Sequence, residues 1–228
     1  MSSFDSFATE YERALSKNLR AIPGGIDHYF QNRVKILSDC LGRSASPERI
    51  LDFGAGVGLA IPFLRHRFPE SEITVTDESL QSLDVARARY PSVKVVTPNE
   101  LQHDHFDAVF VAGVLHHVEP FKRGGVVTRI TDSLKPGGLA VFFELNPLNP
   151  VTRHLVRMCP FDNDAILMRK SEVEGLLMRD SRLAVERSRY TVFFPPLLRP
   201  LLRIERYLQW CPLGAQYFVA ARRALRAR

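Results

Sequence analysis

A glycine-rich turn at residues 52–58 is the feature that most constrains the fold of this chain. Ile50, Leu51 and Phe53 form a short apolar run that ends in three glycines. This pattern predicts a buried strand that enters a tight turn before a helix. Glycine has no Cβ, so its N–H group can approach a ligand closely, and the helix N-terminus that follows favours negative charge. The candidate ligand-binding residues of this turn are Asp52, Phe53, Gly54, Ala55, Gly56 and Gly58.

The turn alone leaves three interpretations open. The turn could bind a cofactor that contains a nucleoside, it could bind a dinucleotide, or it could be a purely structural turn. An acidic residue further along favours the nucleoside: the alternating run 73–76 predicts a strand, and Asp77 follows it, 19 residues after Gly58. A carboxylate at the end of such a strand can accept hydrogen bonds from both hydroxyls of a ribose. Glu78 either assists this role or caps the helix predicted over residues 79–90.

Two more landmarks follow in chain order. Residues 106–113 predict a fourth strand that ends in the small residues Ala112 and Gly113 and leads to two adjacent histidines. The sequence Lys-Pro-Gly-Gly at 135–138 predicts a turn into a fifth strand. The glycine turn, the strand-end acid, the histidine loop and this last turn together resemble the motifs of class I S-adenosylmethionine-dependent methyltransferases. The resemblance covers residues 48–146.

This resemblance implies a fold and a cofactor. The fold is α/β: a Rossmann-like, seven-stranded, mostly parallel sheet with an antiparallel last strand and helices on both faces. The cofactor is S-adenosylmethionine, and its product is S-adenosylhomocysteine. The implied cofactor contacts are the residues of the glycine turn together with Asp77, Glu78, Ala112 and Gly113. Asn99 is the candidate beside the adenine ring, where this chain departs from the family's usual acidic residue.

The resemblance also implies residues on the acceptor side. His117 occupies the motif position that faces the substrate. Because imidazole titrates near neutrality and can take a proton from an acceptor, His117 is predicted to be the general base, and a structural histidine is the alternative. His116 is interpreted as a packing residue. Glu144 is the next catalytic candidate, and Asn146 and Tyr11 are candidates for substrate binding; an aromatic residue at helical spacing, such as Tyr11, is also typical of a core.

The flanks predict additions to a minimal catalytic domain. Residues 1–46 are predicted to be an N-terminal helical cap, with a helix over 27–41, and residues 47–228 the methyltransferase domain. Substrate-side insertions are predicted at 147–180 and 195–214, with a capping box at 171–174 and final strands within 183–194 and 215–220. Residues 197–210 predict one basic amphipathic helix, which is interpreted as a lid over the pocket or as a contact with an anionic membrane; the lid is preferred.

Composition narrows the class of protein. The chain has 228 residues and a net charge of +6. Residues 179–228 carry 11 basic and 3 acidic residues, so the basic character belongs to the C-terminal segment. The three cysteines are far apart and suggest reduced thiols in a cytoplasmic protein. No apolar run is long enough to span a membrane, and no cluster with metal-ligand spacing stands out, so no metal is predicted.

The sequence therefore predicts an enzyme that transfers a methyl group to a small-molecule or lipid- or glycan-linked acceptor. The protein is expected to be cytoplasmic, and peripheral contact with a membrane is an alternative that the sequence leaves open. Two alternatives remain. A nucleic-acid methyltransferase would use the basic C-terminal segment, but leucines and prolines interleave the arginines there. A non-catalytic protein of the same fold would bind the cofactor without turnover.

Overall fold

The computed structural model describes residues 25–42, 45–159, 162, 164–194 and 198–225. The strands are β1 (Arg49–Phe53), β2 (Glu72–Thr76), β3 (Lys94–Val95), β4 (Phe106–Ala112), β5 (Leu134–Leu145), β6 (Leu183–Thr191) and β7 (Gln216–Arg223). They form one seven-stranded sheet in the order β3-β2-β1-β4-β5-β7-β6. The first five strands are parallel to one another, whereas β7 is antiparallel to both β5 and β6. The predicted sheet is thereby confirmed.

Helices cover both faces of the sheet because its central strands are apolar on both sides. Successive residues of a strand point to opposite faces, and in β1 both Ile50 and Leu51 are fully buried. The helices are α1 (Gly25–Leu41), α2 (Ile61–Arg67), α3 (Leu80–Arg89), α4 (Arg123–Ser133), α5 (Pro150–Met158), α6 (Lys170–Leu177), α7 (Arg199–Leu202) and α8 (Glu205–Leu208). Ile50 packs in a cluster with residues of α1, α2 and α3, and Leu51 packs with α4 and α6.

The first helix, α1, belongs to the main core. Its Val34, Ile36 and Leu37 are buried with β1 and α2, and the rings of Phe30 and Phe63 stack with centroids 5.7 Å apart. This packing brings the helix against the carboxyl ends of the strands. The division at residue 46 stays a prediction, and the N-terminal helical lead with Tyr11 lies outside the described residues.

The predicted single helix over 197–210 is wrong for the described part of that segment. The chain instead forms two separate turns of helix, α7 and α8. Tertiary hydrogen bonds hold α8 against the end of β6: the Glu205 carboxylate accepts from the N–H groups of Phe193 and Phe194, and Tyr190 N–H donates to the carbonyl of Gln209. A helical periodicity in sequence does not reveal such competing contacts.

Two smaller predictions also need correction. The capping box expected at 171–174 lies two residues earlier, at 169–172: Glu172 accepts from the N–H of Arg169 at 2.5 Å, and the helix begins at Lys170. The Lys-Pro-Gly-Gly turn does not precede β5 but forms an irregularity within it. Leu134 already pairs with Phe106, and regular pairing resumes at Leu139 opposite Ala108.

Candidate cofactor and acceptor site

The glycine turn after β1 folds onto the end of β2. The N–H groups of Gly54 and Ala55 both donate to the carbonyl of Thr76, at 2.8 and 3.0 Å. Gly54 has φ +74°, and a Cβ there would lie 2.4 Å from Cγ2 of Val114. Gly56 also has a positive φ, but a Cβ there would meet no atom within 4 Å. Close packing and a positive φ both favour glycine at position 54, whereas at Gly56 the positive φ alone favours glycine and the backbone borders open space.

Asp77 ties this turn to β2. One carboxylate oxygen accepts from the N–H of Gly56 and the other from the N–H of Ser79, both at 2.8 Å. A carboxylate oxygen can accept more than one hydrogen bond, so Asp77 holds the turn and still offers acceptor capacity to hydroxyl groups. The side chain lies at the carboxyl edge of the sheet, where open α/β folds bind ligands.

A cavity of about 970 Å³ opens at this edge, between the strand ends, α1 and α5. Its size suits a cofactor together with a small second molecule. The predicted site residues that line it are Asp52, Phe53, Gly54, Ala55, Gly56, Asp77, Glu78, Ala112, Gly113 and His117.

Two opposite charges lie together at one end of the cavity. Asp52 is 2% exposed, and one of its carboxylate oxygens has no hydrogen-bond partner among the described residues. Burial and the neighbouring Asp77 raise the pKa of Asp52 to about 7, although the cation of Arg33 opposes the shift. Arg33, on α1, also lines the cavity and donates to the Gln216 side chain at 3.2 Å. Because a zwitterion carries an ammonium and a carboxylate, the pair Asp52 and Arg33 is complementary to an amino-acid group.

The histidine loop follows β4 and forms a short 3₁₀ turn, Leu115–His117. His116 points inward, is 3% exposed and pairs through Nδ1 with a carboxylate oxygen of Glu144 at 2.5 Å. The second oxygen of Glu144 accepts from Leu115 N–H at 2.8 Å. Burial acts to lower the pKa of His116, but the charge and hydrogen bond of Glu144 outweigh it, so that pKa is raised. Burial acts to raise the pKa of Glu144, and His116 reverses that shift. The two form a buried ion pair that fixes the loop.

His117 lies beside His116, with the two ring centroids 4.2 Å apart, and also lines the cavity. Burial, and then the charge of His116, lower the pKa of His117 to about 4, so its imidazole is neutral at physiological pH. Two carboxylates flank the ring: Asp162 lies 3.5 Å from Nε2 and Asp164 lies 3.8 Å from Nδ1. A neutral imidazole between carboxylates can take up a proton, because the carboxylates stabilise the cation that forms.

Five predicted site residues lie away from the cavity lining or at the rim of the cavity. Gly58 packs against α2, where a Cβ would lie 2.6 Å from Ile61. Glu78 is 76% exposed at the rim and pairs with Arg129 at 3.0 Å. Asn99 is exposed, and its neighbour Pro98 lines the cavity instead.

Glu144 and Asn146 are the other two. Glu144 is 1% exposed, and both its oxygens are engaged by the histidine loop, so it is poorly placed to touch an acceptor. The amide of Asn146 donates to the carbonyls of Pro212 and Gly214, which joins β5 to the segment before β7. These hydrogen bonds explain why Glu144 and Asn146 are polar at the end of a buried strand. Both side chains hold neighbouring segments in place and do not line the cavity.

Comparison with known proteins agrees with this geometry. A family model described as a methyltransferase domain matches residues 51–140. The carboxy-S-adenosyl-L-methionine synthase of Aeromonas hydrophila is 28% identical over 71% of each chain. The trans-aconitate 2-methyltransferase of Pseudomonas paraeruginosa is 36% identical, over 41% of this chain and 34% of its own length. A SAM-dependent methyltransferase from Thermotoga maritima superposes with a TM-score of 0.66 at 18% identity, over 96% of this chain and 98% of its own.

The chain carries a methyltransferase domain, and its sheet has the fold of the class I S-adenosylmethionine-dependent methyltransferases. The residues of this methyltransferase fit the cofactor. The Asp77 carboxylate suits the ribose hydroxyls, the open backbone at Gly56 permits close approach, and Asp52 and Arg33 suit the ammonium and carboxylate of the methionine part.

Three charged residues of the cavity wall, Arg33, Asp162 and Asp164, were not predicted from the sequence. Arg33 lies on a helix with no recognisable motif, and Asp162 lies in an insertion with no strand or helix periodicity. Each reaches the site only through tertiary packing. The one sequence feature near Asp162 is the following Asp164, two residues on, which places two acids beside the histidine loop.

Asp162 also changes what the histidines could bind. Donor atoms of His116, His117 and Asp162 all lie within 4.8 Å of one another. Two imidazoles and a carboxylate are ligands that transition metals accept, and His116 already has the carboxylate partner on its other nitrogen that metal-binding histidines usually have. Sequence spacing did not indicate this cluster, because Asp162 is 45 residues from His117.

Proposed function

We propose that this methyltransferase methylates a small-molecule or lipid-linked acceptor at a heteroatom that carries a proton, and that His117 removes this proton. The observation that carries the proposal is the position of a neutral imidazole in the cavity wall, with Asp162 and Asp164 at its two nitrogens. The cofactor supplies a methyl group on a sulfonium, which is already a good leaving group. The protein must then orient the acceptor and exclude water.

The expected proton path begins at the acceptor and ends on His117. A bound cofactor would supply the methyl group and accept the electron pair of the broken S–CH₃ bond, and the imidazole of His117 would take the proton that the acceptor atom loses. The flanking carboxylates stabilise the imidazolium. His116 cannot easily take this role, because its Nδ1 is held by Glu144 and the residue is 3% exposed. Arg33 and Asp52 orient the cofactor and do not take part in this transfer.

The decisive experiment is a pH–rate profile of the wild type and of His117→Ala with a turned-over acceptor. Release of S-adenosylhomocysteine can be followed over a panel of hydroxyl, carboxyl and amine compounds to find that acceptor. Loss of a positioned base should lower kcat by about 10²–10⁴-fold with little change in cofactor affinity.

The wild-type rate should fall as the pH drops through about 4, because the pKa of His117 lies there rather than near the ordinary imidazole value that the sequence suggests. The variant should lack this step. The matched control is His66→Ala, an exposed histidine on α2. Coincident profiles and rates within a few-fold would make His117 a structural residue.

A second candidate function has one observation in its favour. The Aeromonas protein named carboxy-S-adenosyl-L-methionine synthase matches over 71% of each chain, further along this chain than the Pseudomonas methyltransferase. Such a function would require room for an extra carboxylate near the sulfonium, and Arg33 is a cation at the cavity wall. Mass spectrometry of the nucleoside released from purified protein separates the two candidates. Carboxylated S-adenosylmethionine would favour the second, and its absence together with acceptor methylation would favour the first.

The two alternatives raised by the sequence are tested in the same assays. A nucleic-acid acceptor predicts salt-sensitive RNA or DNA binding. A non-catalytic protein predicts cofactor binding with no product from any acceptor.

A further inference from the structure

Exposed apolar side chains of this protein are concentrated on one surface. Among the described residues, fourteen large hydrophobic side chains are exposed, and nine of them fall in two segments, 148–158 and 198–213. We refer to these two segments as the apolar-basic face. A soluble surface normally scatters such residues, so their concentration marks an interaction site. The nine are Leu148, Val151, Met158, Leu198, Leu201, Ile204, Tyr207, Trp210 and Leu213.

The two segments are joined by hydrogen bonds. The side chain of Asn149, at the N-cap of α5, donates to the carbonyl of Leu213 at 2.6 Å. The hydroxyl of Thr152 donates to the carbonyl of Ala215 at 2.9 Å. The beginning of α5 and the end of the segment before β7 are therefore one continuous surface.

The charge of this face is of one sign. Arg153, Arg157, Arg203 and Arg206 are all exposed. The only acidic residue in the two segments is Glu205, and its carboxylate is turned inward to the backbone N–H groups at the end of β6. The face thus presents arginines between apolar and aromatic side chains, with no exposed acid to oppose an anionic partner.

The apolar-basic face adjoins the acceptor side of the cavity. The opposite side of α5 lines the cavity through Thr152, Leu155 and Val156, and Ala215 lines it from the other segment. None of the described residues of 198–214 lines the cavity, so this segment does not act as the predicted lid. Its exposed side chains need another role.

We propose that the apolar-basic face docks this protein on the surface of an anionic lipid bilayer. Arginines are attracted to anionic headgroups, while tryptophan, tyrosine and leucine side chains enter the boundary between headgroups and acyl chains. No helix among the described residues is both long and apolar enough to cross a bilayer. Docking does not depend on the identity of the acceptor. It would set the cavity beside the lipid surface, where a lipid-linked acceptor is presented.

The chain carries its own probe for this proposal. Trp210 is the only tryptophan, and it is 75% exposed on the apolar-basic face. Titration of the full-length protein with vesicles of phosphatidylcholine and phosphatidylglycerol should shift its emission to shorter wavelength and shield it from a water-soluble quencher. Pure phosphatidylcholine vesicles should give much weaker binding, and added salt should weaken binding to the anionic vesicles.

Paired variants separate the two contributions. Arg203→Gln should weaken vesicle binding by about fivefold, the usual effect of one basic residue near an anionic surface. Leu213→Ser should weaken it by removing apolar contact while leaving the salt dependence unchanged. The matched controls are Arg87→Gln and Leu80→Ser, which alter an exposed arginine and an exposed leucine of α3, away from the face. Circular dichroism should show all four variants folded.

Three results would overturn the proposal. The first is the absence of co-sedimentation with anionic vesicles at low salt. The second is co-sedimentation without a change in Trp210 emission, because the contact would then lie elsewhere. The third is a concentration-dependent dimer that shields Trp210 without lipid, measured by analytical ultracentrifugation, because the face would then join two copies of this chain.

Discussion

Replacement of Asp77 tests the cofactor assignment most directly. Asp77→Ala removes a charged acceptor that suits the two ribose hydroxyls. A hydrogen bond to a charged group contributes about 1.5–3 kcal/mol. Since about 1.4 kcal/mol corresponds to tenfold in affinity, the dissociation constant of S-adenosylhomocysteine should rise by roughly 10- to 150-fold. Isothermal titration calorimetry measures this change.

The structure adds a second expected effect of the same variant. Asp77 accepts from the N–H groups of Gly56 and Ser79, so Asp77→Ala also leaves two partly buried donors without their acceptor. The free energy of unfolding should fall by about 1–3 kcal/mol. Urea unfolding without ligand measures this term separately from binding.

The neighbouring carboxylate provides the control. Glu78 is 76% exposed and makes only a surface ion pair with Arg129, so Glu78→Ala should change cofactor affinity by less than about threefold. If Asp77→Ala binds S-adenosylhomocysteine as tightly as the wild type, or if Glu78→Ala costs more affinity than Asp77→Ala, the assignment of the ribose to Asp77 is refuted. Binding of NAD in place of the S-adenosyl nucleoside would refute the whole site.

Three further predictions concern buried groups. The pKa of Asp52 is raised to about 7, so ionisation of this carboxyl as the pH rises destabilises the ligand-free protein. Asp52→Asn should remove this penalty, which is at most about 4 kcal/mol. The variant should therefore raise Tm more at about pH 8 than at about pH 5. An equal Tm difference at both pH values would show that Asp52 is not buried as described. Gly54→Ala should destabilise the protein more than Gly56→Ala. Both variants place alanine at a positive φ, which costs roughly 1–2 kcal/mol, but only Gly54→Ala adds a clash with Val114. Chemical unfolding measures both variants, and equal losses of unfolding free energy would contradict the packing at Gly54. Glu144→Ala leaves a buried imidazolium without its partner and should lower stability by about 3–5 kcal/mol in urea unfolding, whereas a folded variant of wild-type stability with impaired kcat would restore Glu144 as a catalytic candidate.

The sequence by itself determined the sheet and the cofactor half of the site. Alternating and continuous apolar runs gave the strands, and the turns between them are local choices of glycine, proline and acidic residues. Asp52, Gly54, Gly56 and Asp77 all stand at strand ends or within a turn of a few residues. Because the carboxyl ends of parallel strands meet at one edge of a sheet, the chain order of these residues was enough to bring them together.

Only the tertiary structure decided the acceptor half. The position of Asp162 and the partners of the two histidines depend on contacts between segments far apart in the chain. Arg33, which belongs to the cofactor half, also reaches the site only through tertiary packing. His116 pairs with Glu144, 28 residues away, whereas His117 lies beside Asp162 and Asp164 in the cavity wall. The segment 198–213 behaved likewise, because hydrogen bonds from the end of β6 to Glu205 and Gln209 replaced the continuous helix that its periodicity predicted. Local sequence patterns reflect the conformational preferences of short stretches of backbone. Burial and pairing between distant side chains, in contrast, arise only when the chain has folded.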